Sequence, residues 1–281
     1  MKGVSQEEAI KANQIVHSAV SDIYDQSPHF REENKVKVKK NIKTLLDRLN
    51  LPSEKLKLLD MGCGTGFIIH LVNDLFGEIH GVDVTEAMIK QVDKSKGNIT
   101  THLCPAEKTP FANDTFSMVM AYTFLDHLAD VRPFLKEVHR VLKPGGIFFS
   151  DLNPARQFWE YLFKIDADVE AAKSAIVQRE IENTVHNDRL LAKQTGLDPK
   201  VIAKAESTKS MRNGFSRGEV QELASSIGFK KVEFELDWFM GQGKIMHDAS
   251  FQAAETVESY LRQIAPASDH LFKYLRIILT K

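Results

Sequence analysis

A glycine-rich turn between a short apolar strand and a helix constrains the fold of this chain more than any other feature. The segment Leu58-Leu59-Asp60-Met61-Gly62-Cys63-Gly64-Thr65-Gly66 follows a predicted strand over 56–59 and precedes an apolar helix that begins at Phe67. Glycines let the backbone turn tightly against a ligand, and the amides of a helix N-terminus face that ligand. A second predicted strand, over 79–82, places Asp83 at its carboxyl end, where a carboxylate can accept both hydroxyls of a ribose. The unit therefore predicts a nucleoside-binding site in an α/β fold.

The spacing of the glycines separates two classes of nucleoside cofactor. Turns that bind dinucleotides carry the pattern G-x-G-x-x-G. Here the glycines stand at positions 62, 64 and 66, and Phe67 occupies the place of the third dinucleotide glycine. A structural turn followed by an unrelated acid is the simpler alternative, but the strand, turn and helix context favours a binding site.

Further segments of the chain follow the turn in a recognisable order. They are 83–89, 106–111 together with 114–116, 122–130, and 135–149 with its Pro144-Gly145-Gly146 turn. With the glycine turn, these segments resemble the motifs of class I S-adenosylmethionine-dependent methyltransferases, and the resemblance covers roughly residues 55–153. It implies an α/β fold with a Rossmann-like, doubly wound, seven-stranded sheet whose last strand is antiparallel, and a helical cap formed by insertions.

The same resemblance implies S-adenosyl-L-methionine as the cofactor and assigns its contacts residue by residue. The expected cofactor-binding residues are Asp60, Gly62, Cys63, Gly64, Asp83, Val84, Met88, Ala106, Glu107 and Tyr122. The expected catalytic residues are His127, which follows the fourth strand beside the transferred methyl group, and Tyr24, which closes a lid over the sulfonium. For each of these two, a packing role is the competing interpretation.

Two positions depart from the motifs of the family. Pro105 stands where relatives carry an acid that accepts from the adenine amine, and proline has no side-chain acceptor. Adenine must then be bound by backbone groups near Ala106, by Glu107, or more loosely. Ser117 replaces an aspartate at the start of the fourth strand, which we expect to change local capping more than chemistry.

Composition narrows the classes of partner. The chain has 281 residues, a net charge of −1 and an isoelectric point near 6.8. Nucleic acid is disfavoured as a substrate because its binding depends on clustered lysine and arginine. The one basic run, 35–40, has the pattern of a solvated helix face. We expect a cytoplasmic protein without a membrane span, and two cysteines too few for a disulfide framework. No histidine pairs with cysteine or acid at ligand spacing, so we expect no metal.

The chain beyond the motifs divides into further segments. We expect an N-terminal helical lid over 1–54, the adenosylmethionine-binding core over 55–153, and a helical cap insertion over 154–212. The C-terminal part of the sheet follows over 213–281, with a second insertion at 238–270. Connections after strands five and six leave the sheet at its ligand edge, so both insertions should cover the cofactor. Some of their aromatic and methionine side chains should then line a pocket; the candidates are Phe158, Trp159, Trp238, Phe239 and Met240.

The sequence thus predicts methyl transfer to a small organic acceptor in an enclosed pocket, and leaves the nitrogen, oxygen or carbon acceptor atom and the oligomeric state open. The alternatives are a methyltransferase for a carrier-tethered or protein acceptor, and a non-catalytic adenosylmethionine-binding homologue. A nicotinamide-dependent oxidoreductase would share the turn and Asp83, but it does not account for the Pro-Gly-Gly turn or the segment around His127.

Overall fold

The computed structural model describes residues 4–21, 30–168, 174–206 and 214–281, and its centre is a seven-stranded sheet. The strands are β1 (Lys57–Met61), β2 (Glu78–Asp83), β3 (Ile99–Leu103), β4 (Phe116–Tyr122), β5 (Leu142–Pro154), β6 (Lys231–Phe239) and β7 (Phe272–Thr280). Their order in the sheet is β3-β2-β1-β4-β5-β7-β6. Strands β1 to β5 pair in parallel, whereas β7 is antiparallel to both β5 and β6. The predicted fold class, including the antiparallel last strand, is confirmed.

Helices cover both faces of the sheet and its ligand edge. Those in the described residues are α1 (Gln6–Val20), α2 (Glu32–Asp47), α3 (Phe67–Val72), α4 (Glu86–Ile89), α5 (Val131–Val141), α6 (Arg156–Asp166), α7 (Ala175–Thr184), α8 (Asn187–Thr195), α9 (Pro199–Ala205), α10 (Arg217–Ile227), α11 (Gln242–Asp248) and α12 (Phe251–Gln263). None of these helices is long and apolar enough to cross a membrane.

The central strand β4 is mostly apolar because helices cover the sheet on both faces. All residues of β4 are buried, and their side chains alternate between two cores. Val119 and Ala121 face the core that contains α5, α6 and α10, while Met118 and Met120 face the core that contains α2 and α3. The alternation of side chains along a strand therefore decides which helical layer each residue contacts.

The two described helices of the N-terminal segment, α1 and α2, pack against different parts of the protein. In α2, Val38, Ile42 and Leu45 are buried in the core on one face of the sheet. In α1, Ala12 and Val16 instead pack against Ile202 and Ala205 of α9. Of the described part of 1–54, only α1 lies over the carboxyl edge of the strands, whereas α2 belongs to the helical layer on one face of the sheet.

The basic run of α2 is only partly a solvated face. Lys37 points inward, and its Nζ lies 2.5 Å from Asp237 Oδ1 and 3.1 Å from Glu258 Oε2. Asp237 also receives the buried guanidinium of Arg276, which contacts Asp151 at 2.6 Å. This buried charge cluster joins α2 and α12 to strands β5, β6 and β7, because each charge there has a partner of opposite sign.

The insertions are helical, as predicted, and they follow ordinary capping rules. The second one contains α12, where the Ser250 hydroxyl accepts from the Ala253 amide at 3.1 Å. The first contains α6 to α9, and α8 ends at Gly196 in a left-handed conformation. The division of the chain into lid, core and insertions stays a prediction.

Candidate functional site

A partly open cavity lies beyond the carboxyl ends of β1, β2 and β4, under α1. Its empty space, including the open mouth, is about 690 Å³. It is lined by Gln6, Ala9, Ile10, Asn13 and His17 of α1, by Gly62, Gly64, Val82, Asp83, Val84, Thr85 and Met88, and by Cys104, Ala106, Glu107, Thr123, Phe124, His127, Leu128 and Ala129. The cavity therefore occupies the position where open α/β sheets bind ligands.

The glycine turn forms the floor of the cavity. Gly62 and Gly64 have φ angles of +74° and +51°, in the region that favours glycine. The amides of Gly62 and Cys63 both donate to the Val82 carbonyl, at 2.8 and 3.0 Å. A Cβ on Gly62 would lie 2.0 Å from a ring carbon of Phe124, whereas a Cβ on Gly64 would meet no atom within 4 Å. The turn needs glycine at 62 for packing, and at 64 it leaves open space.

Asp83 stands at the end of β2 with a carboxylate fixed by the backbone. Its Oδ2 accepts from the Gly64 amide at 3.0 Å, and its Oδ1 accepts from the Thr85 amide at 2.8 Å. Burial raises the pKa of Asp83, while the bonds from Thr85 and Gly64 act in the opposite direction. The Thr85 hydroxyl donates a third bond to this carboxylate, which still has a lone pair free to accept from a ligand.

Asp60 lies behind the turn, at the end of β1. It is 2% exposed, and its Oδ1 has no hydrogen-bond partner in the described part of the chain. Burial raises the pKa of Asp60 to about 8, and the negative charge of Asp83 adds to that increase. A cationic ligand beside these two acids would relieve both effects.

The far end of the cavity, beyond Asp83, is mainly apolar. Ala106 and Met88 are buried and form its walls, and Cys104 lies beside them. Burial also raises the pKa of Glu107, whose carboxylate is hydrogen-bonded by the Gln6 side chain. An apolar slot beside a fixed carboxylate suits a flat base attached to a sugar.

The sequence interpretation placed a lid in the N-terminal segment but missed the polar residues of α1 that line the cavity. Of the apolar residues of α1, Val16 is buried whereas Ile15 is 41% exposed. The buried face also includes the polar residue Asn13, whose Nδ2 donates to the carbonyls of Ala9 at 2.9 Å and His127 at 3.2 Å. Helical spacing from Gln6 through Asn13 to His17 was the available signal, but apolar periodicity does not weigh polar residues.

His127 lies in a short 3₁₀ turn, Leu125–His127, directly after β4. Its Nδ1 lies 3.0 Å from the carbonyl oxygen of Ala205 in α9. Its Nε2 lies 3.9 Å from Asp126 Oδ1, beyond hydrogen-bond reach. The ring of His17 meets it edge-on at 4.9 Å, and burial lowers the pKa of His17 to about 3, so His17 is neutral. The structure thus brings His127 into the wall of the cavity, held by the first insertion.

Three expected cofactor contacts do not line the cavity: Asp60, which lies behind the turn, and Cys63 and Tyr122. The hydroxyl of Tyr122 accepts from Asn34 Nδ2 at 2.9 Å, and its ring packs 5.1 Å from that of Phe67 on the α2 side of the sheet. Cys63 is buried in the same core, next to Gly81. The side chains of Tyr122 and Cys63 therefore lie in the core beside α2 and not in the cavity. Tyr24 falls outside the described residues.

The aromatic and methionine candidates of the insertions also lie elsewhere. Phe158 and Trp159 are buried in the core beside α5, and Trp238 is buried in the core beside α2. Phe239 is buried and Met240 packs on the α5 side. Within the described residues, none of the five lines the cavity. The expectation that they form an acceptor pocket is therefore wrong for this cavity; the insertions use them to build their own contacts with the sheet.

Comparison with known proteins gives a consistent result for the segment around the cavity. Residues 59–150 match the family described as methyltransferase domain. The ubiquinone biosynthesis O-methyltransferase of Mesorhizobium japonicum is 30% identical over 102 residues, which are 35% of this chain and 41% of that protein. The human mitochondrial arginine-hydroxylase NDUFAF5 is 30% identical over 93 residues, which are 33% of this chain and 27% of that protein. The matches thus span less than half the length of these curated relatives.

A solved structure extends the likeness of fold over most of the chain. The S-adenosylmethionine-dependent methyltransferase of Mesorhizobium loti superposes with a TM-score of 0.54 at 15% identity, covering 92% of this chain and 99% of that one. At this identity the superposition shows the fold alone. The family match, however, contains the glycine turn, Asp83 and the segment around His127, which together border the cavity. By sequence, residues 59–150 belong to the methyltransferase-domain family, and the chain shares its fold with an S-adenosylmethionine-dependent methyltransferase of known structure.

Proposed function

We propose that the protein transfers the methyl group of S-adenosylmethionine to a small organic acceptor. The observation that carries this proposal is the charge of the cavity. Asp83 lines the cavity and Asp60 lies behind its turn, and burial raises the pKa of each. S-adenosylmethionine brings a sulfonium and an ammonium; a positive charge at the turn is stabilised by the Asp83 carboxylate and favours ionisation of Asp60, whose pKa is otherwise about 8.

The same charges disfavour a dinucleotide. A pyrophosphate carries two negative charges and would have to lie at the turn, beside the Asp83 carboxylate. No arginine or lysine lines the cavity within the described residues to offset that repulsion. The similarity to the arginine-hydroxylase NDUFAF5 does not change this conclusion, because the conclusion concerns only the ligand that the cavity accepts.

The residues around the cavity suit an adenosylmethionine in detail. The Asp83 carboxylate accepts from the Gly64 and Thr85 amides and from the Thr85 hydroxyl, and it keeps a free lone pair for a ribose hydroxyl. Met88 and Ala106 would enclose the adenine, and the open space above Gly64 would let the ligand backbone approach the turn. The unpartnered Oδ1 of Asp60 is an acceptor for the ligand's ammonium, reached directly or through water.

When bound, the cofactor supplies an electrophilic methyl group that is displaced in line by the acceptor. The protein then has to align the acceptor, exclude water and accept a proton where the acceptor carries one. His127 is suited to the last task. A carbonyl oxygen only accepts, so the contact with Ala205 requires the proton on Nδ1 and leaves the lone pair on Nε2. This tautomer favours His127 as a base, and thus a hydroxyl acceptor over an amine that arrives unprotonated.

The experiment that tests the proposal is calorimetry with S-adenosylhomocysteine on Asp83→Asn. Losing the charged acceptor of the ribose should weaken binding by about 1–3 kcal/mol. Asp74→Asn is the matched control, because Asp74 is half exposed and pairs with Lys39 on the surface. Reduced dinucleotide, titrated separately into the unmodified protein, should not bind. Equal affinity of Asp83→Asn and Asp74→Asn for the adenosyl ligand, in folded protein, would contradict the proposal.

A further inference from the structure

One polar group in the wall of the cavity has no role so far. Asn13 is 7% exposed, and both hydrogens of its amide are used, in bonds to the carbonyls of Ala9 and His127. Its Oδ1 is buried and has no hydrogen-bond partner within the described ranges. The amide cannot be reversed without setting its oxygen against those two carbonyl oxygens. Asn13 therefore presents a fixed acceptor in a wall of the cavity.

The helix that carries Asn13 is held over the cavity from several sides. Gln14 Nε2 donates to the Val84 carbonyl at 2.9 Å, directly beyond the end of β2. Lys204 of α9 pairs with Glu8 at 2.9 Å. Ala12 and Val16, on the face of α1 next to Asn13, pack against α9. These contacts hold Asn13 in the wall of the cavity that Asp83 also lines, so its position does not depend on a ligand.

The composition of the wall around Asn13 sharpens the argument. Its neighbours along the same face of α1 toward Gln6 are Ala9 and Ile10, which offer no side-chain polar atom. Gln6 is engaged with Glu107. Pro105, between the cavity residues Cys104 and Ala106, gives no side-chain acceptor for the base. Asn13 of α1 could therefore supply a hydrogen-bond acceptor that Pro105 does not supply.

We propose that Asn13 is a specificity residue for the nucleoside of the cofactor, with its Oδ1 accepting an N–H or O–H hydrogen of the adenosine moiety. The inference rests on the proposed function and deepens it. Asp83 would hold the ribose from the strand side, and Asn13 would hold the nucleoside from the helix side. The donor is the exocyclic amine of adenine or a ribose hydroxyl, since these are the hydrogen-bond donors of adenosine.

The test measures binding of two uncharged-nucleoside probes and one product by calorimetry on the full chain. 5′-Methylthioadenosine keeps the adenosine and lacks the amino acid, and S-adenosylhomocysteine has both. Asn13→Ala should lose about three- to tenfold affinity for both ligands, the range of one neutral hydrogen bond. Ile15→Ala, on the exposed side of α1, is the matched control and should bind like the unmodified protein.

A second variant separates the acceptor from the two donor bonds. Asn13→Asp keeps an acceptor oxygen but gives up both bonds to the carbonyls of Ala9 and His127. With uncharged 5′-methylthioadenosine it should therefore bind more tightly than Asn13→Ala if the acceptor matters. If Asn13 only positions α1, Asn13→Asp should bind 5′-methylthioadenosine no more tightly than Asn13→Ala, and that result would overturn the proposal.

The remaining outcomes are also decisive. A loss confined to S-adenosylhomocysteine would assign Asn13 to the amino acid part and overturn the contact with adenosine. 5′-Methylthioinosine, which lacks the amine, identifies the donor: the penalty of Asn13→Ala vanishes if the amine is the partner and persists if a ribose hydroxyl is. Unmodified protein that binds none of these ligands would refute the proposed function itself, whereas normal binding by Asn13→Ala refutes only the role of Asn13.

Discussion

Alanine at Gly64 would separate the conformational cost of the turn from its service to the ligand. Gly64 has a φ of +51° and open space where a Cβ would stand. An alanine in a left-handed conformation costs about 1–2 kcal/mol. Gly97 has a φ of +79°, also has no atom within 4 Å of a built Cβ, and does not line the cavity. Gly64→Ala and Gly97→Ala should thus lower the free energy of unfolding by similar amounts, measured by urea titration.

Gly62 provides the contrast in packing. A methyl group there would stand 2.0 Å from Phe124, so the ring has to move in addition to the backbone cost. Overpacking of this kind adds typically about 1–3 kcal/mol. Gly62→Ala should therefore be the least stable of the three variants, with Phe124 displaced toward the cavity that it lines.

Binding of S-adenosylhomocysteine then isolates the second effect. In Gly64→Ala the added methyl group occupies open space beside the cavity, and we expect the affinity to fall by at least about tenfold, or 1.4 kcal/mol. Gly97→Ala should bind normally despite its equal loss of stability. If Gly64→Ala binds as tightly as Gly97→Ala, the ligand does not approach the turn at this point, and the reasoning from the open space fails.

Three further predictions concern charge and protonation. Asp60 has a pKa of about 8 in the folded protein, above its unfolded value, so its contribution to stability is present at low pH and is lost as the pH rises through 8. In urea titrations between about pH 5 and 8, the unmodified protein should lose up to about 1.4 kcal/mol of unfolding free energy per pH unit relative to Asp60→Asn. Parallel curves for the two proteins would contradict the burial argument. The neutral His127 ring should carry its proton on Nδ1 in nitrogen NMR spectra, because Ala205 accepts it; an Nε2 proton would remove the case for a base. Arg276→Met should cost about 3–5 kcal/mol by leaving buried carboxylates unpaired, against about 1 kcal/mol or less for the exposed Arg48→Met, and similar losses would mean that the cluster has little energetic weight.

The sequence predicted the parts of the fold whose signal is local. The apolar run before the glycine turn indicated β1, and the glycines with Asp83 marked the turn and the end of β2. The ends of these strands differed from the prediction by one or two residues. They were harder to place because pairing with neighbouring strands, rather than local propensity, decides where a strand stops.

The misplaced site residues have a geometrical cause. A motif fixes where the backbone lies, but the alternation along a strand fixes where a side chain points. Tyr122 shares the face of Met118 and Met120, so it joins the core beside α2 although its neighbour Thr123 lines the cavity. Asn13 and His17 were missed for a different reason: their burial depends on α9, which contacts α1 only in the folded chain.

The roof helix α1 is held by contacts with α9, a distant part of the chain. Glu8 of α1 and Lys204 of α9 are 196 residues apart in sequence. During synthesis α1 leaves the ribosome first and keeps the apolar side of Ala12 and Val16 uncovered until α9 has emerged. The sheet can begin to form in that interval, before α1 has its partner. Because only four buried residues form the core between α1 and α9, we expect this contact to open locally, which would admit a ligand without any movement of the sheet.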